Sequence, residues 1–127
     1  MTVERITSKA LKSIVDGKLT RSVVCVIKLY STHCAYCHAL SHHYWEIAEE
    51  NKDVYFFAFN IDDDEENLNK ILGQQINGVP TIVLVKKPRT PGRPSRMKVL
   101  KDPESPHGKT WYYPDDIRKF IKRYTQQ

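Results

Sequence analysis

The fold is decided by residues 23–40, which read VVCVIKLYSTHCAYCHAL. The first eight form an apolar, β-branched run interrupted only by Lys28, and this pattern is typical of a strand buried on both faces. Beyond position 37, apolar residues recur at helical spacing, with acidic residues on the other side. These apolar residues are Leu40, Tyr44, Ile47 and Ala48. The stretch therefore predicts a buried strand that leads through a short turn into an amphipathic helix.

The cysteine pair Cys34-Ala35-Tyr36-Cys37 lies where this strand ends and the helix begins. The first turn of a helix offers unpaired N–H groups and a partial positive charge, and both stabilise a thiolate. Such a position can lower a cysteine pKa from about 8.5 to roughly 3.5–7.5. The spacing of three places both sulfurs on one helical face, one turn apart. One sulfur can therefore attack a disulfide, and the other can resolve the mixed disulfide that forms.

The rest of the chain predicts the element order αβαβαββα without an internal repeat or a domain boundary, so we expect one α/β domain over residues 1–127. The first helix carries the apolar positions between Ile6 and Val15 and stops at Gly17. The last helix has Pro114 in its first turn. Strands are predicted at residues 23–30, 54–59, 81–85 and 97–100.

The sequence resembles the thioredoxin family. The resemblance rests on the buried strand, on the C-A-Y-C motif at a helix start, on the second buried strand at 54–59, and on Gly78-Val79-Pro80-Thr81 before the third strand. A C-x-x-C motif near a βαβ pattern is typical of such redox proteins. The resemblance implies a thioredoxin fold, with a mixed central sheet of about four strands flanked by helices on both faces. Residues 87–96 and 102–112 would be inserted loops of this single domain.

The resemblance also implies the roles of the site residues. Cys34 would be the exposed nucleophile and Cys37 the more buried resolving thiol. Pro80 would follow a cis peptide bond, which costs only about 0.5–1 kcal/mol before proline, and would face the dithiol. The backbone of Val79 would dock an extended substrate segment. Ala35 and Tyr36, between the two cysteines, would complete the substrate-binding surface.

Three positions depart from the family pattern. Lys28 stands six residues before Cys34, where thioredoxins and protein disulfide isomerases usually carry a buried acid. A buried Lys28 would have a lowered pKa and, while charged, would tune Cys37; alternatively, its ammonium reaches solvent and only its stem is packed. His33, where thioredoxins commonly have tryptophan, is either an ion-pair partner of the Cys34 thiolate or a solvated loop residue.

The third departure is the dipeptide Ala35-Tyr36, which is neither the Gly-Pro of thioredoxins nor the Gly-His of the isomerases. Its tyrosine is shared with the Pro-Tyr of glutaredoxins. However, the Gly-Gly-containing, glutathione-binding segment of glutaredoxins is absent after the third strand, where this chain reads Val85-Lys86-Lys87-Pro88. The pattern therefore favours a protein dithiol role over a glutathione-dependent one.

The same residues allow other chemistries. The run from Cys34 to His38 matches a c-type haem attachment motif, but here the motif follows a buried strand. Zinc could draw on Cys34, Cys37, His38 and His42, although positions 37 and 42 point about a hundred degrees or more apart around a helix. The acids at 62–66 lack the glycine and distal glutamate of a calcium loop. We therefore expect no metal and no cofactor beyond a Cys34–Cys37 disulfide, with Cys25 as a buried packing residue and His38, His42 and His43 on the surface.

The composition and charge of the chain limit the kinds of partner that we expect it to bind. The 127 residues carry 20 Lys and Arg against 15 Asp and Glu, a formal charge of +5. The start of the chain lacks a secretory signal, and no apolar run approaches the roughly 20 residues of a membrane span, so we expect a cytoplasmic monomer without membrane contact. One basic segment is either a solvated loop or a docking surface for an acidic partner, and it lacks the aromatic residues that would favour nucleic acid. Its residues are Lys86, Lys87, Arg89, Arg93, Arg96, Lys98 and Lys101.

These observations predict a thiol–disulfide oxidoreductase that reduces protein disulfides through Cys34 and Cys37. Its partners would be protein disulfides and a reductase or thiol donor. The alternative is a non-catalytic binding module of the same fold, which would engage a protein through the groove near Pro80 or through the basic segment. An insulin-reduction assay on Cys34→Ser separates the two.

Overall fold

The computed structural model describes residues 3–18, 23–87, 93 and 95–126. A one-turn 3-10 helix spans Ile61–Asp63. The strands and longer helices, in chain order, are β1 (Val3–Arg5), α1 (Ser8–Val15), β2 (Val24–Tyr30), α2 (Ala35–Glu50), β3 (Tyr55–Asn60), α3 (Glu65–Leu72), β4 (Thr81–Lys86), β5 (Arg96–Val99) and α4 (Pro114–Thr125).

The strands form one mixed sheet in the order β1-β3-β2-β4-β5. β1, β3 and β2 run parallel, whereas β4 and β5 continue the sheet in antiparallel pairing. The predicted mixed sheet is confirmed, with β1 as a fifth strand that the sequence analysis missed. A strand of three residues, with Val3 half-buried and Glu4 and Arg5 exposed, has no readable periodicity. It is a strand because β3 offers a free edge, against which Val3 pairs with Phe56.

Side chains of the central strand β2 alternate between two cores, one on each face of the sheet. Val26 belongs to the core beneath α2 and α4, while Cys25, Ile27 and Leu29 belong to the core beneath α1 and α3. Helices therefore cover both faces, as predicted. The free thiol of Cys25 is 1% exposed, which confirms it as a buried residue.

Two predicted helix boundaries are confirmed. Gly17, just beyond the end of α1, has a φ of +73°, a left-handed conformation that a residue without Cβ adopts readily. Any Cβ at this position would also lie 3.2 Å from the Oγ of Ser95. Pro114 occupies the first turn of α4, where its missing N–H has no helical partner to lose.

Tyr44 links α2 to the sheet beneath it. Its side chain is 1% exposed, and its hydroxyl lies 2.7 Å from the Phe57 carbonyl oxygen and 3.1 Å from that of Val26. A buried hydroxyl needs such a partner, because burying it unbonded is costly. This hydroxyl thus holds the middle of α2 over the junction of β2 and β3.

Candidate active site

The two motif cysteines form a disulfide at the start of α2. Cys34 is the N-cap residue, and its sulfur accepts a hydrogen bond from the Cys37 N–H at 3.1 Å. Cys34 is half-buried, whereas Cys37 is only 1% exposed. An N–H aimed at the sulfur and the positive end of a 16-residue helix both stabilise negative charge on Cys34. The geometry therefore makes Cys34 the more accessible cysteine of the pair.

The turn before Cys34 is held through Thr32, which the sequence analysis missed. The Thr32 N–H donates to the Asp62 carboxylate at 3.0 Å, and its hydroxyl oxygen accepts from the Asn60 amide at 3.0 Å. The Thr32 carbonyl accepts from Nε2–H of His38 at 2.7 Å, because a carbonyl oxygen can only accept. The N–H, the hydroxyl and the carbonyl of Thr32 are thus bonded to Asp62, Asn60 and His38 respectively, and these three hydrogen bonds hold the turn.

A signal for this arrangement was present in the sequence. Asn60 is the last residue of β3 and Asp62 comes shortly after it, and β3 pairs in parallel with β2, with Tyr30 opposite Asn60. Because parallel strands end at the same edge of a sheet, polar residues after β3 meet the turn after β2. Asp62, one of the acids at 62–66, thus orients the turn that leads to Cys34.

Lys28 is buried, with 5% of its surface exposed. Its ammonium donates to the Ser41 hydroxyl at 2.9 Å, and that hydroxyl donates to the Cys37 carbonyl at 3.0 Å. The Nζ atom also lies 5.3 Å from the ring centroid of Tyr44 and 5.6 Å from that of Tyr30. The sequence left two alternatives for Lys28, a buried side chain or an ammonium that reaches solvent. The structure shows the buried side chain.

Burial lowers the pKa of Lys28 to about 8, because the charged form loses its water. The two aromatic rings and the Ser41 hydroxyl replace part of that hydration. A lysine with such a pKa keeps most of its positive charge at neutral pH. It holds that charge beneath the turn of α2 that carries Cys37, since Ser41 lies one turn further along the helix.

The segment that carries Pro80 lies at the same end of the sheet as the cysteines. The Val79–Pro80 peptide bond is cis, Pro80 is buried and Val79 is half-buried. Thr81, the next residue, pairs with Leu29 near the carboxyl end of β2. The pairing register therefore places the loop before β4 beside the turn that leads to Cys34.

The remaining predicted site residues lie at the surface of this region. His33, Ala35 and Tyr36 are exposed. Tyr36 contacts Trp111, a residue of the 102–112 loop that the sequence analysis did not single out. Trp111 has no periodic neighbours that would mark it in the sequence, so only the folded loop reveals it.

The surface histidines have partners of their own. His42 pairs with Glu46 at 2.8 Å, and its ring meets that of His43 edge to face. His38 and His42 are exposed and His43 is half-buried. Within the described ranges, no three His, Cys, Asp or Glu side chains are grouped to hold a metal ion. None of the helices in the described part of the chain is long and apolar enough to cross a membrane.

The predicted basic docking segment is only partly described. Arg89 lies outside the described residues. Arg93 and Arg96 are exposed, while Lys86 and Lys87 are half-buried. An acidic partner for this segment stays a prediction.

A disulfide at the start of a helix, on a mixed sheet between two helical layers, defines a thioredoxin-type redox protein. The family model for thioredoxin matches residues 3–100, and the chain belongs to the thioredoxin family. This confirms the resemblance and the thioredoxin fold that the sequence predicted. The family and its disulfide-forming C-x-x-C pair give the chain the general chemistry of a thiol–disulfide oxidoreductase. A search of curated proteins found no match to the chain.

Solved structures share the fold at low sequence identity. Chloroplastic thioredoxin z is 20% identical, with 100% of this chain and 97% of that chain covered and a TM-score of 0.68. The long form of spinach chloroplast thioredoxin f is 20% identical, with 97% and 86% covered and a TM-score of 0.69. A ferredoxin:thioredoxin reductase and thioredoxin f2 complex gives 19% identity, 97% and 94% coverage and a TM-score of 0.67.

Proposed function

We propose that this protein reduces protein disulfides through Cys34 and Cys37. The observation that carries the proposal is the unequal burial of two bonded sulfurs at the start of α2, with Cys34 half-buried and Cys37 1% exposed. Only the outer sulfur is open to a bulky substrate, so attack begins at Cys34. The inner sulfur is shielded from solvent thiols but stands one turn away from the mixed disulfide, which suits it to resolution.

The reaction transfers two electrons. The Cys34 thiolate attacks one sulfur of the substrate disulfide, the substrate S–S bond breaks, and one substrate thiolate leaves and takes a proton from water. The Cys37 thiolate then attacks the Cys34 sulfur of the mixed disulfide, which releases the second substrate thiolate and forms the Cys34–Cys37 disulfide. The substrate is reduced and the protein is oxidised. A reductase or a thiol donor returns two electrons and two protons to the pair.

Two features support a protein substrate and a protein donor. The backbone of Val79, half-buried before the cis Val79–Pro80 bond, offers main-chain groups to an extended substrate segment at the cysteine end of the sheet. The thioredoxin f2 of similar fold forms a complex with ferredoxin:thioredoxin reductase. We therefore propose a reductase as the electron donor that returns the Cys34–Cys37 disulfide to the dithiol.

We further propose that Lys28 is a positioning residue that tunes Cys37. A positive charge beneath the helical turn of Cys37 favours the thiolate that resolves the mixed disulfide. The hydrogen bonds from Lys28 to Ser41 and from Ser41 to the Cys37 carbonyl, at 2.9 and 3.0 Å, hold this charge in place. The resolving thiol would thus be assisted by a cation in a position where relatives usually place an acid.

This tuning predicts a shift in the pH dependence of resolution. We expect Lys28→Met to move the pH profile of mixed-disulfide resolution upward by about one unit, because an opposite charge nearby lowers a pKa by about 1–3 units. Single-turnover release of the substrate thiol, followed across pH, measures it. Lys9→Met, which removes a charge from the exposed face of α1, is the control. An unchanged profile in Lys28→Met would refute the tuning role.

The proposed mechanism predicts a trapped intermediate. We expect Cys37→Ser to accumulate a covalent adduct with a protein disulfide that persists for minutes to hours, the timescale of uncatalysed disulfide rearrangement. Wild-type protein should release the same substrate before an adduct builds up. Intact-mass spectrometry under non-reducing conditions detects the adduct, and peptide mapping assigns it to Cys34. An adduct on Cys25, or none at all, would contradict the mechanism.

A further inference from the structure

The aromatic pair Tyr36–Trp111 adjoins the disulfide and is not explained by the redox chemistry. Tyr36 lies between the two cysteines and is 38% exposed. Its ring meets that of Trp111 edge to face, with centroids 5.6 Å apart and an interplanar angle of 63°. Trp111 comes from the 102–112 loop, far along the chain, so the fold brings this ring specifically to the C-x-x-C dipeptide.

The loop fixes Trp111 in a conformation that a bulky residue rarely adopts. Its φ is +66°, in the left-handed region, where a side chain with a Cβ is strained. The backbone is locked by two hydrogen bonds between Trp111 and His107, at 2.9 and 3.1 Å. The indole N–H donates to the Asp102 carboxylate at 3.1 Å. Strain that the surroundings over-determine in this way is concentrated at functional sites.

The residues on either side of Trp111 anchor it further. Thr110 is 5% exposed and its hydroxyl donates to the Tyr112 carbonyl at 2.7 Å. Tyr112 is 1% exposed and belongs to the core beneath α2 and α4. Trp111 itself packs against that core on one side and remains half-exposed on the other. Its position is therefore rigid, and its free face is presented beside Tyr36.

The proposed mixed disulfide indicates which group would lie against the exposed face of Trp111. In the mixed disulfide the substrate is bonded to the Cys34 sulfur, two residues from Tyr36. The substrate residues next to its cysteine follow at 3.8 Å per Cα step, so their side chains lie within reach of the pair. A groove lined by Asn77, Thr81, Leu100 and Asp102 contains Thr81, which follows Pro80, and Asp102, whose carboxylate accepts from the Trp111 indole.

We infer that Tyr36 and Trp111 form a specificity site for an aromatic or large apolar side chain next to the substrate's reactive cysteine. The inference rests on the proposed disulfide reduction and names the substrate class: protein disulfides with an aromatic or large apolar neighbour, in preference to those with a small polar one. A third ring joins two rings already set edge to face, an arrangement that aromatic side chains favour. Because the loop already holds Trp111 in place, less conformational entropy is lost when the substrate side chain binds.

Two peptide disulfides test the inference, identical except for phenylalanine or serine next to the cysteine. We expect wild-type protein to reduce the phenylalanine peptide with a kcat/KM about 10-fold higher, the scale of discrimination available to an apolar pocket. Trp111→Gly, in which glycine adopts the positive φ without strain, and Tyr36→Ala should each bring the ratio close to one. Trp45→Ala, which removes the only other tryptophan, 46% exposed on α2, should keep it. Equal rates in wild type would overturn the inference.

A spectroscopic measurement separates this inference from the function on which it rests. In Trp45→Phe combined with Cys37→Ser, Trp111 is the only tryptophan and Cys34 can trap either peptide. We expect the phenylalanine adduct, and not the serine adduct, to shift the Trp111 emission. Both adducts forming with the same emission would overturn the specificity site and leave disulfide reduction intact. Failure of both peptides to form an adduct would overturn the proposed function and this inference together.

Discussion

We expect Cys34→Ser to lower the rate of insulin disulfide reduction by about 10³-fold or more. The reason is that a serine hydroxyl is not ionised near neutral pH and cannot form the mixed disulfide from which every later step proceeds. Helix α2 should remain, because serine is a favoured N-cap residue and its oxygen can accept the Cys37 N–H in place of sulfur. Turbidity or thiol release from insulin, with dithiothreitol as the donor, measures the loss.

The chain offers a matched control for this substitution. Cys25 is the third cysteine, buried in the core beneath α1 and α3, and Cys25→Ala should retain reduction. Activity of Cys34→Ser within about tenfold of wild type would show that the disulfide pair is not the reactive group. The alternative of a non-catalytic binding module would then account better for the fold and its groove near Pro80.

Lys28→Met should stabilise the folded protein most strongly at neutral pH, and the gain should shrink as pH rises. The pKa of Lys28 is lowered from 10.5 to about 8 in the folded state, so below about 8 folding must bury a charge that the unfolded chain keeps in water. Between these two values the unfolded chain binds more protons, so the cost of Lys28 falls as pH rises. At about 1.4 kcal/mol per pKa unit, the gain of Lys28→Met should fall by about 2 kcal/mol from about pH 7 to about pH 9.5.

Urea denaturation of both proteins across this pH range measures the difference. Cys25 acts in the opposite direction, because burial raises the pKa of its thiol to about 11 and the folded state then holds a proton that the unfolded state releases. Since both proteins keep Cys25, its contribution cancels in the comparison. Lys9→Met corrects for the loss of one surface charge. A gain that does not change with pH would show that the Lys28 ammonium is hydrated in the folded state.

Much of the fold was predictable because its signals are local. The apolar run at β2, the helical spacing after Cys37 and the glycine at position 17 each reflect constraints within a few residues of the chain. The C-x-x-C pair was predictable for the same reason. Its position between the end of a strand and the start of a helix places it at the positive end of that helix. β1 was missed because three residues carry no period, and its pairing with Phe56 depends on an edge formed by a distant strand.

Residues that support the site were less visible in the sequence. Thr32 is an ordinary turn residue until β2 and β3 align and bring Asn60 and Asp62 to it. Trp111 lies in a turn-rich loop, and only the bond to Asp102 and the contact with Tyr36 mark it as part of the site. Contacts of this kind join segments far apart in the chain, and no spacing rule relates them.

The sequence by itself determined the order of the strands and helices that follow β1, the family and the C-x-x-C pair, because periodicity and helix-terminal electrostatics operate over a few residues. The tertiary structure alone decided the state of Lys28. Alternation along β2 places its side chain on the face of Val26, but whether its ammonium reaches water depends on what covers that face. Helix α2 covers it with Ser41 and Tyr44, so the charge is buried beneath the turn of Cys37. Solvation depends on the packing of separate segments, and that is a property of the folded molecule.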